Sequence, residues 1–257
     1  MNGERNKNPE CVRMVKEKDH QLAFFYAPDL SSHSKRLTLS PEESHHVNRV
    51  LRKRREDPVG LINGLGLMAR ARIEQIDKCA VSCVIEAVVH IPPPEPRIHV
   101  ALGMIRPNRM DWAVEKLTEL GVYTIQPMQT DFTTIPILKR EHLERIAISA
   151  MKQSQQPYLP TIAEPCSFSD WARQLIRQGK QTVGYLAHWM PGAQPISVPN
   201  DAPPEIYLAI GPEGGFSERE VQLAVEAGFQ IVKLQDSVLR SETAAVVAVS
   251  QIKFLFL

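Results

Sequence analysis

The chain has 257 residues, 43% hydrophobic and 23% charged, a composition that excludes disordered and fibrous classes and describes a globular fold. Basic and acidic residues nearly cancel, 30 against 29, but residues 1–97 hold 16 against 13 and residues 98–257 hold 14 against 16. A polyanion-binding surface is therefore expected in the N-terminal part. The longest apolar run, 244–249, falls far short of the roughly 18 to 20 residues of a membrane-spanning helix, and residues 1–20 lack the apolar core of a secretory signal, so a cytoplasmic location is expected.

Cys11, Cys79, Cys83 and Cys166 form neither a CxxC pair nor a zinc pattern with histidine, so reduced thiols and no metal site are expected.

In chain order, residues 1–21 show no apolar period and read as a disordered extension. Residues 22–91 read as a small β-rich module. Its signals are short strands near 59–66, 67–76 and 80–89, separated by Asn-Gly and Asp-Lys turns. Within it Arg49, Arg52, Lys53, Arg54 and Arg55 are the densest basic cluster in the chain, a pattern that supplies sequence-independent affinity for a nucleic-acid backbone or simply forms a solvated face. His45 and His46 precede it as helix-surface residues. The prolines of residues 92–97 break both helix and strand and mark a stiff linker.

Residues 98–257 then alternate strand-like and helix-like runs. Strands are expected at 98–104, 122–128, 182–187, 205–210 and 231–234, and helices at 109–120, 138–155, 218–227 and from about 242. This is the pattern of an α/β domain with a parallel sheet of five or six strands covered on both faces.

The most informative segment runs from Ile210 through Gly211, Pro212, Glu213, Gly214 and Gly215 into a helix marked by Ser217 and Glu220 at capping-box spacing. Glycines there permit close backbone approach to a ligand, but neither a P-loop nor a dinucleotide fingerprint is present. Leu186 and His188 end another strand at the carboxyl edge where ligands sit in open α/β sheets. Arg240 and Glu242 flank the start of the last helix, where each could serve a ligand or fix the loop. Arg106 and Arg109 follow the first strand of the domain and could grip phosphates. Lys116 and Glu119, three apart on a helix, are expected to pair.

Gly211 to Gly215 with Leu234, and the run Val238, Leu239, Arg240, Ser241, Glu242, Thr243, Ala244, resemble the paired signatures of the small-subunit (16S) ribosomal RNA uridine N3-methyltransferases, of the SPOUT class. The run 115–122 resembles a third family segment. Residues 49–52 and 63–66 resemble the family's PUA-like RNA-binding barrel. The resemblance, over residues 22–257, implies a trefoil-knotted domain binding S-adenosyl-L-methionine, a PUA-like β-barrel before it, and a homodimer acting on ribosomal RNA. It implies cofactor contacts from Leu186, His188, Ile210, Gly211, Glu213, Gly214, Gly215, Leu234, Val238, Leu239, Arg240 and Thr243. RNA contacts are implied from Arg49, Arg52, Lys53, Arg54, Arg55, Arg106 and Arg109. In catalysis, Arg240 would stabilise charge on the uracil carbonyls, and Glu242 or Glu213 would act as base. The chain departs from the family at Phe132, Gln156 and Ser237, where arginine is usual, and at Gln235, where glycine is usual. Those departures keep open a ribose 2′-O-methyltransferase of the same class and a catalytically silent RNA-binding paralogue.

Overall fold

The computed structural model describes residues 22–77, 80–134, 138–178, 183–197 and 203–256. The expected N-terminal extension, Cys11 and Cys79 lie outside them. The chain divides into two compact units, residues 1–93 with 151–158, and residues 94–150 with 159–257.

The first unit holds a five-stranded sheet. Its strands are β1 (Phe24–Tyr26), β2 (Arg36–Thr38), β3 (Pro58–Ile62), β4 (Leu67–Ile76) and β5 (Val81–His90), in the order β1-β3-β4-β5-β2. β1 pairs parallel with β3, and the other pairings are antiparallel. Helix α1 (Pro41–His45) runs into a π-turn at His46–Val50. Alternation along β3 and β4 sends Val59, Leu61, Ala69, Ala71 and Ile73 to one face, where they meet Phe25, Leu39, Val47, Val81 and Cys83. Burial pushes the Cys83 thiol up to about 11, so it stays protonated and inert. Of the two histidines expected on the surface, His45 is exposed, whereas His46 is half-buried with its ring edge against Phe25.

Asn63 is the polar joint of this unit. Its side chain, in a residue only 5% exposed, accepts from the Leu65 and Leu67 amides (2.8 and 2.9 Å) and donates to the Leu30 carbonyl (3.3 Å). It thereby closes the β3–β4 turn and ties it to the chain after β1.

The second unit has a seven-stranded sheet. Its strands are β6 (Arg97–Gly103), β7 (Thr124–Gln129), β8 (Thr161–Ile162), β9 (Cys166–Ser167), β10 (Val183–Ala187), β11 (Glu205–Ile210) and β12 (Phe229–Val232). The order is β12-β10-β11-β6-β7-β8, with β9 also on β7, and every pairing is parallel. The two short strands beside β7 raise the count above the five or six expected. Five helices cover the sheet: α2 (Pro107–Glu119), α3 (Arg140–Ser154), α4 (Phe168–Gln178), α5 (Glu218–Glu226) and α6 (Ser241–Phe254).

Both faces are buried, as a parallel sheet requires. Val100, Leu102, Ile206, Leu208 and Ile210 face α2 and α6, while Ala101, Tyr207, Ala209 and Leu186 face Phe168, Trp171 and Ala172 of α4 and Ala224 of α5. Helix α4 was not among the expected elements. Its apolar residues Phe168, Trp171, Ala172 and Leu175 keep helical spacing, and Ser167 Oγ caps it by accepting from the Asp170 amide (3.0 Å). No helix among the described residues is long and apolar enough to cross a membrane.

Replacing Asn63 by Ala leaves two part-buried amides and one buried carbonyl without this partner, the last a desolvation cost of about 1–3 kcal/mol. Amide exchange should show the sheet of the first unit opening more readily, with the second unit's protection unchanged.

Candidate functional site

Three loops leave the carboxyl ends of β10, β11 and β12 and enclose a cleft of about 240 Å³. Ala187, His188 and Trp189 come from the first loop. Ile210 to Gly215 come from the second, and Val232 to Gln235 with Ser237, Val238 and Leu239 from the third. Ser241 and Ala244 close the floor from the first turn of α6.

The glycines of the second loop serve close packing of the chain on itself. A Cβ on Gly211 would lie 3.0 Å from the Gly215 backbone, one on Gly214 would lie 2.7 Å from Phe132 Cβ, and one on Gly103 would lie 2.4 Å from Pro212. Gly215 has φ +71°, and its Cβ position faces His188 Nδ1 at 4.0 Å. Gly215 alone of this loop thus combines a left-handed backbone with a face toward the cleft wall.

The loop is anchored at its far end. Ser217 and Glu220 form the expected capping box at the start of α5. Asp131 accepts from Ser217 Oγ (2.6 Å) and Arg219 (2.9 Å), and its amide donates to Glu220 Oε1 (3.0 Å). The Ser217 hydroxyl and Arg219 guanidinium hold the Asp131 carboxyl below the usual carboxylate range. Phe132, one of the expected departures from the resembled family, therefore sits on a turn that is bonded to the end of the glycine loop.

Side-chain charges at the cleft are paired. Glu213 Oε1 accepts from Arg109 Nη1 (2.7 Å), and Lys233 donates to Asp236 (2.9 Å). Burial holds the His188 imidazole below the usual histidine range, so it is neutral at pH 7. Its ring meets Phe216 edge-on at 6.4 Å. His188 is thus part of a wall and not a free loop residue. The two departures Gln235 and Ser237 hydrogen-bond to each other at 2.6 Å on the cleft wall. The Leu234 carbonyl accepts from Gln251 Nε2 (2.9 Å), which ties the third loop to α6.

Of the implied cofactor residues, His188, Ile210, Gly211, Glu213, Gly214, Gly215, Leu234, Val238 and Leu239 line the cleft. Leu186, Arg240 and Thr243 do not. The Leu186 side chain is fully buried under the sheet, because the last residues of β10 are covered on both faces. Thr243 is turned away by helical periodicity, since Ser241 and Ala244, three apart, already occupy the face toward the cleft. Arg240 is the N-cap residue of α6, is exposed, and forms no ion pair among the described residues.

Glu242 is 8% exposed and does not line the cleft. Its Oε1 lies 3.7 Å from Arg109 Nε, and its Oε2 is buried without a partner among the described residues. Arg109 therefore bridges Glu213 and Glu242, which removes it from the set of free phosphate-gripping cations. Arg106, at the N-cap of α2, remains exposed. Lys116 pairs as expected, with Glu115 (2.7 Å) and Glu119 (2.8 Å). Trp189, Val232 and Lys233 line the cleft without having been singled out in the sequence. Only their adjacency to the motifs could have suggested them.

In the first unit, Arg49, Arg52, Arg54 and Arg55 are exposed and Lys53 is half-buried. Leu51 N–H bonds His46 O, Lys53 N–H bonds Val47 O and Arg54 N–H bonds Asp57 Oδ2, while Arg52 takes φ 51°. The basic run is therefore a fixed turn and not a loose strand of charge.

The RNA methyltransferase domain family matches residues 93–253, and the RNA methyltransferase PUA domain family matches residues 39–86. The chain is 34% identical over 221 residues to the ribosomal RNA small subunit methyltransferase E of Aquifex aeolicus, covering 83% of this chain and 92% of that one. Its identity to the Synechocystis protein of the same name is 29% over 227 residues, covering 85% and 73%. A putative methyltransferase from Legionella pneumophila, solved with bound cofactor SAM, superposes with TM-score 0.81 at 30% identity, covering 91% of this chain and 98% of that one. The Neisseria gonorrhoeae ribosomal RNA small subunit methyltransferase E, bound to S-adenosyl methionine, superposes with TM-score 0.82 at 27% identity and the same coverage. With a PUA-type unit, a parallel sheet ending in a three-loop cleft, and these matches across both, the chain belongs to the ribosomal RNA small subunit methyltransferase E family.

Proposed function

We propose that this chain transfers a methyl group from S-adenosylmethionine to N3 of a uridine in small-subunit ribosomal RNA, in the cytoplasm and as a homodimer. The observation that carries the reading is the cleft at the ends of β10, β11 and β12, in a chain of this family. Its residues fit the cofactor. Ile210, Val232, Leu234, Leu239 and Ala244 offer an apolar wall for a flat adenine. Neutral His188 adds no positive charge to repel a sulfonium, and the Glu213 carboxylate favours one. A knotted C-terminal domain, as the family resemblance implies, is compatible with the connections at this edge of the sheet. His188 N–H donates to Val232 O and Lys233 N–H to Gln194 O, and the chain leaving β12 then enters α6, which packs on α2, β6 and β11.

When bound, the cofactor supplies an electrophilic methyl on a cationic sulfur. For that methyl to be accepted, the uracil N3–H proton would have to pass to a base of this chain, leaving N3 its electron pair for the new bond while sulfur would keep the pair of the old one. Of the two carboxylates near the start of α6, Glu213 lines the cleft and takes the base role. Glu242 holds Arg109, and through it the orientation of Glu213. Arg240, exposed beside Val238 and Leu239, is free to stabilise negative charge on the uracil carbonyls. The basic turn at residues 49–55 provides RNA affinity in the first unit.

Nucleoside analysis of small-subunit ribosomal RNA from cells with and without the gene tests the reading. One N3-methyluridine should vanish, and purified protein should restore it. Gly215→Val, which forces a branched side chain into a left-handed position beside His188, should weaken S-adenosylmethionine binding measured by calorimetry and should fail to restore the nucleoside. A missing 2′-O-methyl ribose instead would assign the other chemistry.

Arg240→Ala should lower the single-turnover rate roughly a hundred- to a thousandfold with saturating RNA and cofactor, leaving cofactor affinity near wild type. If cofactor affinity and melting temperature fall together while the rate holds, Arg240 only pins the loop.

Changing Arg52 and Arg54 to Ala should weaken binding to unrelated RNAs alike and flatten the salt dependence by about one unit of slope per lost phosphate contact. An unchanged slope would make this turn an ordinary solvated surface.

A further inference from the structure

The mouth of the cleft is apolar and aromatic in a way that cofactor binding does not account for. Trp189 lines the cleft yet is 63% exposed, and Val238, lining it from the third loop, is 86% exposed. Met190, next to Trp189, is exposed as well. Large apolar groups in water at one place mark a surface that something covers.

The loop that carries Trp189 is built to hold it still. Its first residue, His188, is tied to Val232 O by its backbone N–H (3.1 Å), and its last, Gln194, accepts from Lys233 N–H (2.9 Å). Between these ties the Ala193 N–H closes a turn on Met190 O (3.2 Å), and Gly192 supplies the left-handed step at φ +86°. Both ends of a seven-residue loop are thus fastened to the edge of the sheet, and its indole stands at the cleft entrance. An aromatic carried on a backbone tied this way costs little loop ordering when a flat partner stacks on it. Next to it in the chain, the His188 ring lies 4.0 Å from where a Cβ on Gly215 would stand.

We propose that Trp189 is the stacking platform for the target base, packing against the face of an unpaired pyrimidine whose edge points into the cleft. The proposal rests on the methyl-transfer reading and adds what holds the acceptor. The occupant is RNA and not a protein because Arg240, set between the cleft-lining Leu239 and Ser241, is exposed and forms no ion pair among the described residues, and so suits a phosphate backbone. Unstacked bases in RNA are held by aromatic side chains in this way. Val238 then serves as the opposing apolar contact at the mouth.

The test uses the full-length protein with Trp189→Ala and Trp189→Phe, and a short single-stranded RNA containing one uridine. Trp189→Ala should bind that RNA and turn it over, per unit of RNA at subsaturating concentration, roughly 5- to 150-fold less well. S-adenosylmethionine affinity should stay within about twofold of wild type, and Trp189→Phe should recover most of the loss. Tryptophan fluorescence should be quenched by the RNA in the wild type and much less in Trp189→Phe, a readout that needs no catalysis. Equal loss of cofactor affinity in Trp189→Ala would instead make the indole an adenine contact, and a change of sedimenting species would make it a subunit contact. Either result, or unchanged RNA binding, overturns the proposal. Quenching by RNA in a protein that methylates nothing would leave the platform standing and remove the enzymatic reading instead.

Discussion

Close backbone approach at the carboxyl end of the sheet governs the geometry of the cleft. Gly103 at the end of β6 meets Pro212 and Gly214 lies against Phe132 at separations that a Cβ could take only if something shifted, and Gly211 meets the Gly215 backbone at a separation tight for any Cβ. The loop after β11 is therefore folded onto its neighbours, and its shape is set before any ligand arrives. A preformed wall of this kind spares the reaction the cost of ordering a loop and lets fixed groups meet developing charge at once.

Polar anchors hold that packing in place from two sides. Asp131, Ser217, Arg219 and Glu220 fasten the loop to the start of α5, and the bridge from Glu213 through Arg109 to Glu242 fastens it between α2 and α6. The ion pairs in these networks are partly exposed, so their individual contribution to stability is small, typically below about 1 kcal/mol each. Their consequence is orientation: Glu213 is turned to the cleft and Glu242 away from it. Truncating Arg109 would release both carboxylates, one of them buried.

The first unit uses a different device for the same end. Asn63 satisfies three backbone groups at a turn, and Ser44 accepts from the Val81 amide while donating to the Leu39 carbonyl. Buried hydroxyl and amide groups thus replace missing sheet bonds where β1, α1 and the π-turn join the sheet. The basic turn then projects from a fixed base, with its backbone bonded at Leu51, Lys53 and Arg54.

Local periodicity made most of the elements legible in the sequence. The run 205–210 is a strand to the residue, the capping box at Ser217 and Glu220 forms as spaced, and the pairing of Lys116 with Glu119 follows from helical geometry. The glycine and Val238-to-Ala244 signatures fall on two of the loops that line the cleft. Helix α4 was equally legible but passed over, and β8 and β9, two residues each, carry too little pattern to be read at all. Side-chain direction was the part that only the tertiary structure decided. Nothing local distinguishes Leu186 under the sheet from His188 on the cleft wall, or Glu242 against Arg109 from Glu213 at the cleft, and Trp189 carries no motif. Strand order, helix rotation and the partner that each charge finds depend on contacts between residues far apart in the chain, such as Arg109 with Glu213 and Glu242. Periodicity and spacing report only a residue's near neighbours in the chain, so they determined the elements and the loops, while long-range packing determined which atoms face the site.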